Sequence, residues 1–231
     1  MSVINALELF KEAHNEGMIG DESFPLPSFL TKEAASKFLV VIGSNATGKS
    51  LITNTLLVAG KGWHGIKGYN ISMARRTAGD SMEKMFVYQD ERDHSTGVTT
   101  LHAIAGAFHN IKAYATDKQS PTSMLLVLDE PTIGLSLGYE KAMGKYLVEQ
   151  YNALKDEEHF VGLVVVTHSK DMMRQIQKEG VEPTVISAGE AFTLDDWYKD
   201  DEEKSIEELM SLRDKGRNGH NAVNKYIHAN K

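Results

Sequence analysis

The run Phe38-Leu39-Val40-Val41-Ile42 passes without a break into Gly43-Ser44-Asn45-Ala46-Thr47-Gly48-Lys49-Ser50, and no other stretch restricts the fold of this chain as tightly. Consecutive apolar residues of this kind describe a strand covered on both faces, which requires helices above and below a sheet. After Lys49 the apolar residues return at helical spacing as far as Val58, so the glycine-bounded loop sits where a strand turns into a helix. Amides at such a junction converge on one point and attract an anion. Further apolar runs span Met124 to Leu128 and Val161 to Val166, each followed by polar residues and then a helical pattern. Strands alternating with helices predict an α/β fold of three layers with a mainly parallel central sheet.

Helices are also expected at Ile4 to His14, Val98 to Ala115 and Tyr139 to Leu154, and Pro25 and Pro27 close a loop after the first of these. The 231 residues suffice for one large domain. It is expected over residues 1–200, with a polar helical or flexible tail over 201–231, where Gly216 and Gly219 interrupt the pattern. The absence of cysteine excludes disulfides and thiolate metal sites and fits a cytoplasmic protein. Glu8, Glu12 and Glu16 break the apolar run that a signal peptide would need. No stretch reaches the roughly 18 apolar residues of a membrane span, so a membrane role is not expected.

Net charge is −7, which argues against a uniformly basic coat for nucleic acid. Charge is unevenly placed, however. No acidic residue lies between Glu33 and Asp80, a stretch that holds Lys37, Lys49, Lys61, Lys67, Arg75 and Arg76. The opposite pole, Asp195 to Glu208, is strongly acidic and reads as a solvated face.

Gly43 to Ser50 fits the phosphate-loop pattern of the P-loop NTPases. The backbone of Gly43, Ser44, Asn45, Ala46, Thr47 and Gly48 is expected to wrap the phosphates of ATP. Lys49 would reach the β- and γ-phosphates, and the Ser50 hydroxyl would ligate Mg²⁺. Leu125-Leu126-Val127-Leu128 ends in Asp129-Glu130, the arrangement in which the first carboxylate holds Mg²⁺ and the second polarises the attacking water. Val164-Val165-Val166 ends in Thr167-His168-Ser169, where the imidazole could bond the γ-phosphate and the water.

From about Phe38 to Ser169 these residues resemble the ATP-binding-cassette (ABC) ATPases. The most specific part is Asp129-Glu130-Pro131-Thr132-Ile133-Gly134-Leu135-Ser136, which looks like the acidic segment of that family running into its D-loop, with His168 matching the switch histidine. The resemblance implies an ATP-dependent homodimer in which two subunits sandwich two nucleotides and each site is completed by the partner. His94-Ser95-Thr96-Gly97-Val98 is the candidate completing segment, with Ser95 and the Gly97 amide on the γ-phosphate. Gln89 is the candidate residue of the family's Q-loop, contacting Mg²⁺ and water. Ser136 stands where the family has an aspartate, which puts communication between the two sites in doubt. The short interval from Lys49 to Ser95 leaves no room for a transporter-docking subdomain or a long coiled coil. A stand-alone ATPase acting on a macromolecular partner is therefore expected. The alternative is an ATP-gated clamp on DNA or RNA, similar to repair and phage-defence ATPases and motivated by Arg75 and Arg76.

Overall fold

A computed structural model of the chain describes residues 3–18, 28–29, 35–45, 47–72, 96–117, 119, 121–188, 193–200, 203 and 205–212. The strands β1 (Ser28–Phe29), β2 (Ala35–Ile42), β3 (Lys67–Ile71), β4 (Met124–Asp129), β5 (Phe160–Val166) and β6 (Pro183–Ser187) form one sheet, ordered β1-β6-β2-β5-β4-β3. Strands β2 to β6 are parallel, and β1 adds an antiparallel edge to β6. The helices are α1 (Ala6–Asn15), α2 (Lys49–His64), α3 (Thr96–Ala115), α4 (Leu137–Leu154), α5 (Lys170–Lys178) and α6 (Leu194–Lys199).

Alternation along the strands builds the three layers. Leu39 and Val41 of β2 and Leu125 and Val127 of β4 point to one face, where they pack with Leu9 and Phe10 of α1 and Ile52 and Leu56 of α2. Phe38, Val40, Ile42, Leu126 and Leu128 point to the other, against Ile104 and Phe108 of α3, Leu147 of α4 and Met172 of α5. The central runs are apolar throughout because both of their faces are covered. Each such side chain contributes about 1.5–3 kcal/mol on burial, so the sheet centre is the rigid part on which loops can be held.

Several boundaries move from their expected places for identifiable reasons. Helix α1 starts at Ala6 rather than Ile4 because Asn5 and Glu8 form a capping box. Helix α2 continues past Val58 to His64, since Gly60 lies where its missing side chain lets α1 come close: a Cβ there would sit 3.3 Å from Leu9 Cδ2. Helices α3 and α4 begin at Thr96 and Leu137, each two residues earlier than expected. The acidic stretch is only in part a plain solvated face. Thr193 and Asp196 form the capping box that starts α6, and Asp195 lies in its first turn. Trp197 anchors α6 to the core, and the Tyr198 hydroxyl donates to Gln177 at 2.7 Å. In the expected tail, residues 206–212 are helical, started by a box in which Ser205 and Glu208 bond each other's backbone amides. Pro25, Pro27, Gly216 and Gly219 lie outside the described residues. No helix among the described residues is long and apolar enough to cross a membrane.

Candidate active site

Sheet register decides which residues leave the sheet side by side. Strand β5 lies between β2, which leads into the Gly43 loop, and β4, which ends in Asp129, and one row of the sheet carries Val41, Val166 and Asp129. One step further, the Thr167 amide donates to Val41 O at 3.2 Å and the Glu130 amide to Val166 O at 3.0 Å. Gly43, Thr167, His168 and Glu130 therefore emerge together at the carboxyl edge of the strands, where ligands of open α/β sheets bind.

The loop after β2 closes on itself. Gly43 has φ +147°, and a Cβ there would lie 2.8 Å from Ala188 O and 2.9 Å from Thr47 Oγ1, so the position needs glycine for both conformation and space. Thr47 Oγ1 donates to Ser44 O at 2.9 Å. Lys49 is buried, and its ammonium donates to Gly43 O at 2.9 Å and Ser44 O at 2.6 Å. Helix α2 begins at Gly48 with no side-chain cap and no acid in its first turn. No side chain therefore competes with an anion for the start of the helix.

The loop after β4 is built differently. Asp129 is largely buried, which raises its pKa, while the Lys49 charge and the neighbouring Ser50 hydroxyl lower it. The start of α2 thus lies beside the end of β4. Glu130 takes φ +55°, a left-handed conformation that is costly for a residue with a long side chain. Its carboxyl is pushed up to about 7, chiefly by burial and further by Asp129 and Glu140, against the backbone bond from His168 and the charge of Lys49.

His168 donates its amide to Glu130 Oε2 at 3.3 Å, and its Nε2 lies 3.4 Å from Glu130 Oε1. The second contact is too poorly aligned to be a hydrogen bond, so Oε1 is buried without a hydrogen-bond partner among the described residues. Burial and the Lys49 charge push His168 down to about 4. At neutral pH the imidazole is therefore neutral, and the two groups do not form a fixed ion pair.

The expected residues Gly43, Ser44, Asn45, Thr47, Gly48, Lys49, Ser50, Asp129, Glu130 and His168 thus belong to loops, strand ends and the start of α2 at one edge of the sheet. Ala46, Gln89 and Ser95 lie outside the described residues, as do Arg75 and Arg76. Gly97 is described, in the first turn of α3, where it meets the loop after β4. A Cβ on Gly97 would lie 2.6 Å from Gly134 O, and one on Gly134 (φ +77°) 2.8 Å from Gly97 N. Ser72 and Thr100 line a small cleft beside Asp129 and Glu130, and neither was expected from the sequence. Glu140 and Ser169, whose side chains bond each other, were also missed as a pair. A serine ahead of a helix marks an N-cap, but nothing local in the sequence points to a partner on another helix. Comparison of the chain with models of known protein families and with curated protein sequences finds no match.

Proposed function

We propose that the protein binds ATP with Mg²⁺ and hydrolyses it, as a stand-alone ABC-type ATPase whose two copies close around two nucleotides and switch a macromolecular partner. The observation that carries this reading is the nearness of Ser50, at the start of α2, to Asp129, at the end of β4, with β5 between the strands that lead to them. A strand order with β5 between those two strands fits a P-loop NTPase. Mg²⁺ commonly takes one or two protein oxygens and completes its shell with water and phosphate. A serine hydroxyl beside a carboxylate suits that habit, and no larger cluster of His, Asp and Glu exists among the described residues. When bound, the ion would neutralise charge on the phosphoryl group being transferred.

The chain's own residues supply the rest. The uncapped start of α2 and the Gly43 turn receive phosphate oxygens, and Lys49 exchanges its loop carbonyls for them. Glu130 combines a high proton affinity with an Oε1 that has no hydrogen-bond partner among the described residues, so it is suited to accept a proton from water. The neutral His168 can donate a hydrogen bond beside it. Association of two copies is supported by the surface around the loop after β4. Val98, Leu101, Ile133, Leu137 and Tyr139 are large, apolar and exposed there, with Leu137 at 79%. Exposed apolar side chains around one loop suit a surface that a second copy would cover. The alternative, an ATP-gated clamp on DNA or RNA, draws on the acid-free stretch between Glu33 and Asp80 together with Arg75 and Arg76, and these two arginines lie outside the described residues.

The test is the solution mass of Glu130→Gln, which should bind ATP without consuming it. The mass should double with ATP and Mg²⁺ and stay single without them. A monomer under both conditions would sink the shared site.

A further inference from the structure

We propose that Glu140 is a positioning residue for hydrolysis, its hydrogen bond from Ser169 holding the His168 turn against Glu130. The proposal rests on the ATPase reading of the site and adds to it a residue outside every motif that the sequence displays.

The Ser169 side chain is buried and has two partners. Its Oγ accepts the Met172 amide at 3.0 Å, which caps α5, and the hydroxyl donates to Glu140 Oε2 in a short hydrogen bond. Capping uses only the oxygen. The proton is free for a second task, and a carboxylate is the strongest acceptor it could meet. On the other side the Ser169 amide donates to Thr167 Oγ1 at 2.9 Å. His168 therefore sits between two residues tied in place, with its own amide on Glu130 Oε2.

The far end of the link is equally taut. Glu140 lies in the first turn of α4, and the preceding loop is closed by Ile133 N to Glu130 O at 3.0 Å, Leu135 N to Thr132 O at 3.0 Å and Tyr139 N to Ser136 O at 2.8 Å. Gly134 of that loop abuts Gly97 at the start of α3 with no room for a methyl group. Glu140 thus sets the spacing of His168 and Glu130 without touching the nucleotide.

The experiment compares steady-state ATP turnover of the full chain with that of Glu140→Ala, Ser169→Ala, the double variant, Glu140→Gln and Ser169→Thr. Both alanine variants should lose roughly 10- to 100-fold in kcat with KM almost unchanged, as supporting residues around a metal site do. The double variant should be no worse than either single one. Gln retains an acceptor and Thr a hydroxyl, so both should recover most of the rate. An alanine variant as fast as wild type, additive losses in the double variant, or a Gln variant as slow as Ala would each overturn the proposal. The imidazole NMR signals of His168 give a readout independent of turnover. They should move in Glu140→Ala and stay in Glu140→Gln; signals unmoved in the alanine variant would also overturn it. Wild-type protein without turnover would instead count against the ATPase reading, leaving the ring signals to decide the link.

Discussion

The loops that follow β2 and β4 leave the same edge of one sheet, yet they solve the turn in opposite ways. After β2 the left-handed positions are Gly43 and Gly48, and the charged Lys49 is satisfied by the loop's own carbonyls. After β4 the first left-handed residue is Glu130, whose side chain is half-buried with its Oε1 buried and unpaired among the described residues. The first loop is relaxed and spends its chemistry on shape and on backbone amides. The second holds a strained backbone and a desolvated carboxyl, conditions of order 1–3 kcal/mol that persist only when the surroundings impose them. A loop that recognises an anion through backbone can use glycine freely. A loop that must present one carboxyl cannot.

If that contrast is correct, the two loops should fail differently. Glu130→Gln should lower ATP turnover by roughly 100- to 10,000-fold while leaving nucleotide affinity close to wild type, the cost of losing a general base. Lys49→Ala should instead weaken nucleotide binding, by roughly 10- to 100-fold for a lost charged hydrogen bond. Isothermal titration beside a phosphate-release assay separates the two, and equal losses of affinity in both variants would erase the distinction. Next in size is Gly43→Ala, which forces a methyl group against Ala188 O and Thr47 Oγ1. It should cost about 1–3 kcal/mol of stability, read from the urea midpoint; an unchanged midpoint would mean that the first loop is not held as tightly as its geometry implies.

The smallest effect concerns pH. Glu130 keeps its proton up to about 7 in the fold against an ordinary 4.5, so unfolding releases a proton between those values and stability falls as pH rises through them. His168 works the other way. With about 4 in the fold against an ordinary 6.5, it contributes stability that is present above 6.5 and lost as pH falls towards 4. The slopes oppose each other in wild type. Measured against wild type by thermal melting, Glu130→Gln should gain stability as pH rises across the shared window, and His168→Asn should lose it. Parallel curves for all three proteins would show that these groups do not titrate as their surroundings require.

What was legible in the chain follows from where its residues are buried. Strands β2, β4 and β5 are covered on both faces, so their apolar runs announce them. Strand β3, Lys-Gly-Tyr-Asn-Ile, lies at the end of the sheet order, and its first two residues are exposed, so it carries no comparable run. Strand β6 opens on Pro183 and is fully buried, but it is too short for its pattern to stand out beside a proline. Caps shifted the start of α1, and a close helix contact carried α2 beyond its expected end; both effects depend on partners that a periodicity does not reveal.

The sequence by itself determined the layered α/β plan, the loop from Gly43 to Ser50, and the polar residues Asp129, Glu130 and His168 that end two buried strands. These are local properties: apolar runs, a glycine pattern, a polar residue after a strand. Only the tertiary structure decided that β5 lies between β2 and β4, that Ser50 comes beside Asp129, that Glu130 is bent into a left-handed conformation, and that Glu140 reaches Ser169. Those facts turn on strand order and helix packing, which bring together residues far apart in the chain. No propensity of either partner alone encodes such a meeting.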